Sequence, residues 1–472
     1  MMTASRDDIH RLIAFNGIDG ATGNFLQSPL TGEQLGRLAV QLPVGGALHQ
    51  LLADWREGRE VSDPFRAPIS DVKDPKDLSQ AGWGVIFAED TPAVIRRALK
   101  PLLAHRRDQA GDLFKDLVFR SGQTHQQFMS EVGAIPGARA VPERLPYYLL
   151  LVGDPVKMPF RFQNELDVQY AVGRLHFDAE TPEKSATAYA SYAEAVVAVE
   201  DGTWRNRRQE VLFFAVESPG DEATRRTSGE LVEPLAEVLR RSRPEWRPTL
   251  IGGGEATRTR LQQVLESDRP SILFTASHGV SFPNGSERQL EAQGALVCAE
   301  GVDGRSGRYF TAADVPDDAK LSGMIAFHFA CYSAGTPELD EFGRISGVQG
   351  QIAPRPFVAR LPQKLLEKGA LAVIGHVDRT WTSSFSWNDQ GGHVQVYSEL
   401  LKQLTNGEPI GWAMEAMNSY FASQAASLQS LRDDIQFFRP EDFAIYADLW
   451  RQTVDAGSFV VLGDPAVRLN FD

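Results

Sequence analysis

Two stretches decide the fold: SILFTASHG (271–279) and GMIAFHFACYS (323–333). Each is a short apolar run that stops at a chemically reactive side chain, His278 in the first and Cys331 in the second. Continuous apolar runs of this length read as buried strands of a parallel sheet. In such sheets reactive groups gather at the carboxyl ends of strands, where loops open onto a crevice. Two neighbouring parallel strands ending in His and Cys set an imidazole beside a thiol, the minimum for nucleophilic catalysis by cysteine. The imidazole takes the thiol proton and later delivers it to the leaving amine. Gly279 follows the histidine directly and has no side chain, so its amide can approach a substrate oxygen. With the amide of Cys331 it forms a candidate oxyanion hole. The competing reading makes both residues core, since free cysteine is among the most buried residue types.

Outward from these two runs, strands alternate with helices. GVIFA (84–88), YYLLLVG (147–153), EVLFFAVES (210–218), PTLIG (248–252) and ALAVIGHV (370–377) read as strands. ALVCAE (295–300) reads as one member of a short strand pair. Helices are expected over 91–106, with Thr91 as cap and Pro92 at the first position, and over 186–199, 229–241, 257–266, 357–368, 394–404 and 411–426. This alternation predicts an α/β fold with a mainly parallel sheet flanked by helices. Residues 1–78 read as a separate N-terminal region, an arm, cap or prosegment, with helical patterning at 51–55 and a polar, Pro-containing tract at 61–79. Residues 79–205 are expected to form a first α/β subdomain, and 206–472 a second, catalytic one beside it.

Composition narrows the function. The net charge of −14, with no dense Lys/Arg cluster beyond Arg205 to Arg208 and Arg240 to Arg247, argues against direct nucleic-acid binding. No apolar run reaches the ~18 residues a bilayer-spanning helix needs, and MMTASRDDIHRLIAF at the start has no apolar signal core. The two cysteines, Cys298 and Cys331, do not make a disulfide framework, so a reducing cytoplasm is the expected setting. There is no CxxC, HExxH or DxDxDG pattern, so neither a metal nor a cofactor is expected. GGG at 252–254 lacks the rest of a phosphate-loop motif and reads as a turn. Cys298, His328 and His376 read as packing residues.

A hydrophobic run ending in His-Gly, followed by one ending in Ala-Cys, resembles the signature of caspase-type cysteine peptidases, the group of caspases, legumain, separase, gingipains and CHAT domains. PYYLLLVGDPVKMPF (146–160), VGRLHFDAETPEKSATAYASYAEAV (172–196), LLEKGALAVIGHVDRTW (365–381) and FVVLGDPAVRL (459–469) resemble the gingipain and CHAT branches. The resemblance thus covers about residues 80–472. It implies a caspase-like fold and a cysteine endopeptidase with Cys331 as nucleophile and His278 as base, then acid. It implies a protein or peptide substrate and, for CHAT-type enzymes, an activating partner in bacterial defence or cell death. In gingipain-like enzymes a carboxylate from the first half lines the pocket for a basic residue. Asp167 in ELDVQYAVGRL (165–175) occupies a similar place, and Asp340, Glu341 and Arg344 are further candidates for the rim. The alternative is a catalytically inactive interaction module on the same fold.

Overall fold

The computed structural model describes residues 12–13, 17–25, 29–41, 72, 74–204, 208–218, 220–299, 309–339, 350–380, 385, 394–433 and 440–470. Ten strands form one sheet. In chain order they are β1 (Trp83–Ala88), β2 (Phe114–Phe119), β3 (Tyr148–Val152), β4 (Ala171–Leu175), β5 (Arg208–Ala215), β6 (Arg247–Gly252), β7 (Pro270–Ala276), β8 (Ile325–Phe329), β9 (Ala372–His376) and β10 (Phe459–Gly463). Their order across the sheet is β2-β1-β3-β4-β10-β9-β8-β7-β5-β6. Every pairing is parallel except β9 with β10. The fold is therefore α/β with a mainly parallel sheet flanked by helices, as the alternation predicts.

The antiparallel pair is a seam. Strands β1 to β4 run with β10, and β5 to β9 run against them. The amino end of β4 consequently lies on the same sheet edge as the carboxyl ends of β7, β8 and β9. The central strands are mostly apolar because both faces are covered: β1, β3, β4, β7, β8, β9 and β10 are buried at every residue.

The helix expected over 91–106 is two, Ala93–Ala98 and Lys100–Ala110. Pro101 has no N–H to donate into a continuing turn, so the second helix starts afresh with proline in its first turn. Its Arg106 is buried and ties this helix to distant parts of the chain. The guanidinium pairs with Asp464 just past β10 at 2.7 Å and with Glu200 at 2.6 Å. Trp83 Nε1 also donates to Asp464 at 2.9 Å.

The helical patterning at 51–55 and most of the tract at 61–79 lie outside the described residues. Nearer the start, the helix Gly32–Gln41 packs on the helix Pro440–Ala456, burying Leu35 and Ala39 with Ala447 and Trp450. The approach is close enough that a Cβ at Gly36 would lie 1.8 Å from the carbonyl oxygen of Phe443.

Candidate active site

The carboxyl ends of three adjacent strands, β5, β7 and β8, converge on one edge. β7 and β8 pair with Ala276 opposite Phe329, so His278 and Cys331 each stand two residues beyond a matched pair. The two segments touch along their backbones. Ser277 N–H donates to the carbonyl of Phe329 at 3.2 Å. A Cβ on Gly279 would sit 1.8 Å from the carbonyl oxygen of Cys331, so only glycine admits this approach.

The turn after Cys331 is sharp and tied down. Tyr332 has a φ of 58°, a left-handed conformation that a bulky residue adopts only under constraint. The constraint comes from the end of β9. Tyr332 N–H donates to Asp378 O at 2.9 Å and Ala334 N–H to His376 O at 3.0 Å. Ser333 Oγ donates to His328 O at 3.1 Å and accepts His376 N–H at 3.0 Å.

Cys331 is fully buried. Its Sγ accepts the N–H of Thr380 at 3.2 Å and lies 3.6 Å from Thr380 Oγ1. Burial pushes the thiol up to about 11 despite these bonds, so at neutral pH it is a protonated thiol in this arrangement.

His278 is also buried, and its Nε2 hydrogen-bonds the carboxylate of Asp221. Asp221 lies just beyond β5 and caps the helix Glu222–Arg226, its Oδ1 accepting Ala223 N–H at 3.0 Å and Thr224 N–H at 3.4 Å. Burial works against its charged form. The bond and charge of His278 and the two capping amides outweigh that, so the carboxyl titrates below its usual range. Sequence reasoning missed Asp221. The available signal was Asp-Glu-Ala after a strand end, a helix-start pattern, but the helix was placed from 229 onward.

Asp167 shares the sheet edge with Cys331 but lies beyond β9 and β10. It ends the helix Phe160–Asp167, its Oδ1 accepts Val172 N–H at 3.0 Å, and its carbonyl accepts Asn418 Nδ2 at 2.9 Å. Burial raises its carboxyl well above the usual range, against the pull of the Val172 bond. Among the described residues no recorded contact joins it to His278 or Cys331. Asp340, Glu341 and Arg344 lie outside the described residues.

His328 packs inside the sheet against Thr275 Oγ1 at 2.8 Å, and burial pushes it down to about 4. His376 is buried between the carbonyls of Asp378 at 2.8 Å and Asp455 at 3.0 Å. Cys298 belongs to the main core, and the glycines at 252–254 lead into a short 3₁₀ turn, Gly253–Glu255. Among the described residues no cluster is placed to hold a metal ion. No helix among them is long and apolar enough to cross a membrane.

No protein-family model and no curated protein matches the chain. Several solved structures do. A protease structure matches with a TM-score of 0.48 and 14% identity over 83% of this chain and 80% of that one. The complex of Porphyromonas gingivalis RgpB pro- and mature domains matches with 0.43 and 12% over 82% of this chain and 80% of that one. The Saccharomyces cerevisiae separase–securin complex matches with 0.31 and 11%, over 68% of this chain but 15% of that one. Likeness this distant leaves function to be argued from the site itself.

Proposed function

We propose that the protein is a cysteine endopeptidase. Cys331 is the nucleophile, His278 the base and then the acid, and Asp221 the group that orients the imidazole. The observation that carries the reading is the convergence of Asp221, His278 and Cys331 at the carboxyl ends of three adjacent parallel strands. A carboxylate on Nε2 leaves Nδ1 to exchange the proton and favours the imidazolium that forms, the role a triad acid plays. Thr380 N–H, aimed at Sγ, would stabilise the thiolate.

The oxyanion hole also finds support. The bonds flanking the bridge between Gly279 and Leu296 use His278 O and Val280 N–H, so they do not consume the amide of Gly279. Among the described residues the Cys331 amide has no recorded acceptor either. Both are available to a developing oxyanion.

Finer points rest on the sequence alone: preference for a basic residue before the scissile bond, a gating partner and a defence role on the resemblance, a cytoplasmic setting on the two cysteines, and the division at residues 78 and 205 on the pattern along the chain. For the pocket Asp167 is the proposed determinant, and a cleavage profile unchanged in Asp167→Ala removes it. The rival reading, an inactive interaction module, is favoured by one observation, the complete burial of the thiol.

The test is peptide-library hydrolysis and labelling with a peptide acyloxymethyl ketone. Cys331→Ala and His278→Ala should each abolish turnover in a folded protein, and the double variant should be no worse than either. Full activity in folded Cys331→Ala sinks the proposal.

A further inference from the structure

Part of the chain's own N-terminal region lies against His278 and the segment that follows it. Residues 17–25 form a tight hairpin in which Ile18 bridges Phe25. Asp19 holds its turn: Oδ1 accepts Ala21 N–H at 2.7 Å and Thr22 N–H at 2.9 Å, and Asp19 N–H donates to Asn24 O at 2.9 Å. The strand Ile18–Asp19 then adds in parallel to Val280–Ser281, the residues directly after His278-Gly279. Ile18 N–H donates to Gly279 O at 3.3 Å, and Gly20 N–H to Ser281 O at 2.7 Å. The hairpin lies flush: a Cβ on Gly20 would stand 2.4 Å from Val280 Cγ1 and 2.5 Å from the Phe282 ring. Phe25 meets the His278 ring edge-on at 5.6 Å. It leaves 47% of its own surface in water while His278 keeps 2%. Phe25 thus packs on His278 while standing outside the buried hydrophobic clusters.

We infer that residues 17–25 are a cis-acting cap that clamps the His278–Gly279 segment onto Cys331, and that the thiol becomes accessible only when this hairpin lifts from Val280–Ser281. That uncapping yields an active enzyme rests on the peptidase reading, but closure of the thiol does not. Main-chain bonds to a two-residue strand and one ring contact are a small holding beside the sheet core. The cap can therefore open locally while the rest stays folded. The neutral, desolvated thiol is the state such a cap would store.

The chain has two cysteines, so Cys298→Ser leaves Cys331 as its sole thiol. In that full-length background, the rate of iodoacetamide alkylation is read by mass spectrometry at pH 8, with circular dichroism as the folding control. Phe25→Ala removes an exposed ring without touching the core, and Gly20→Val forces the hairpin from its seat. Gly254→Ala, where a Cβ meets nothing within 4 Å, is the control. Alkylation should rise at least tenfold in Gly20→Val, by a smaller factor in Phe25→Ala, and not in Gly254→Ala. Hydrogen exchange at 279–282 should quicken in parallel. Unchanged alkylation in both cap variants overturns the inference. An uncapped protein whose thiol alkylates quickly but which cleaves no peptide would refute the peptidase reading and leave the cap standing.

Discussion

Replacing Cys331 with serine should remove a defined share of the protein's alkaline destabilisation. In the fold, burial raises the thiol from its ordinary 9.0 to about 11. In the unfolded chain the thiol is hydrated and ionises near its ordinary value. A raised acid holds its proton more tightly in the native state, so the unfolded chain loses the proton first as pH climbs. Stability from this group is intact below pH 9 and is lost between pH 9 and 11. Two pH units correspond to roughly 3 kcal/mol at the limit, and about half of that is gone by pH 10. The assay is urea denaturation followed by tryptophan fluorescence at pH 8, 9, 10 and 10.5, on wild type and Cys331→Ser side by side. Tyrosines and lysines titrate in both proteins and cancel in the difference. The wild type should lose on the order of 1 kcal/mol relative to the variant by pH 10. A difference that stays constant across this range would refute the claim that the thiol rests buried and protonated.

Three other substitutions probe the frame. Asp221→Asn should keep the fold but lower kcat by about 10²- to 10⁴-fold, because the amide cannot support the imidazolium; a variant with full kcat would remove Asp221 from the site. Gly279→Ala drives a methyl toward the Cys331 carbonyl from 1.8 Å and must part the two segments, so kcat/KM should fall at least about 100-fold. Retained turnover would show that the close approach does not matter. Arg106→Leu leaves the fully buried Asp464 without its cation and Glu200 with only His105 and should cost about 3–5 kcal/mol in urea unfolding; a loss under about 1 kcal/mol would show the network to be dispensable.

Legibility followed burial. β7 and β8 were readable because both faces are covered, which writes a strand as an unbroken apolar run. β2, FKDLVF at the outer edge of the sheet, has a mixed pattern of partly buried and exposed residues and carries no such run. β4 is buried at every position, yet it holds Arg174, whose guanidinium is satisfied by Gln163 and by the carbonyls of Gly153 and Pro159. A charged residue in the middle hid a strand whose polar atoms are all paired internally. The helix Pro440–Ala456 was missed; its apolar face is shared between Ala425 and Leu428 nearby and Leu35 and Ala39 some four hundred residues upstream.

The candidate site divides along the same line. His278-Gly279 and Ala330-Cys331 are local words, each complete within its own strand. Asp221 is not: its meaning comes from β5 lying beside β7, and strand order is a property of crossovers rather than of any short segment. The seam between β9 and β10 is equally silent in sequence, and it alone brings the amino end of β4, and so Asp167, to the edge that carries His278 and Cys331. Sharing an edge is not sharing a pocket, however. Asp167 closes the turn into β4 through Val172, and its buried carboxyl favours the neutral form. A neutral acid offers a lysine or arginine side chain a hydrogen bond but no counter-charge. Recruiting it for a basic substrate therefore requires the substrate's own cation to draw the proton off. That links pocket and pH: preference for a basic residue, if Asp167 supplies it, should strengthen as pH rises. A basic preference that is independent of pH would place its carboxylate elsewhere.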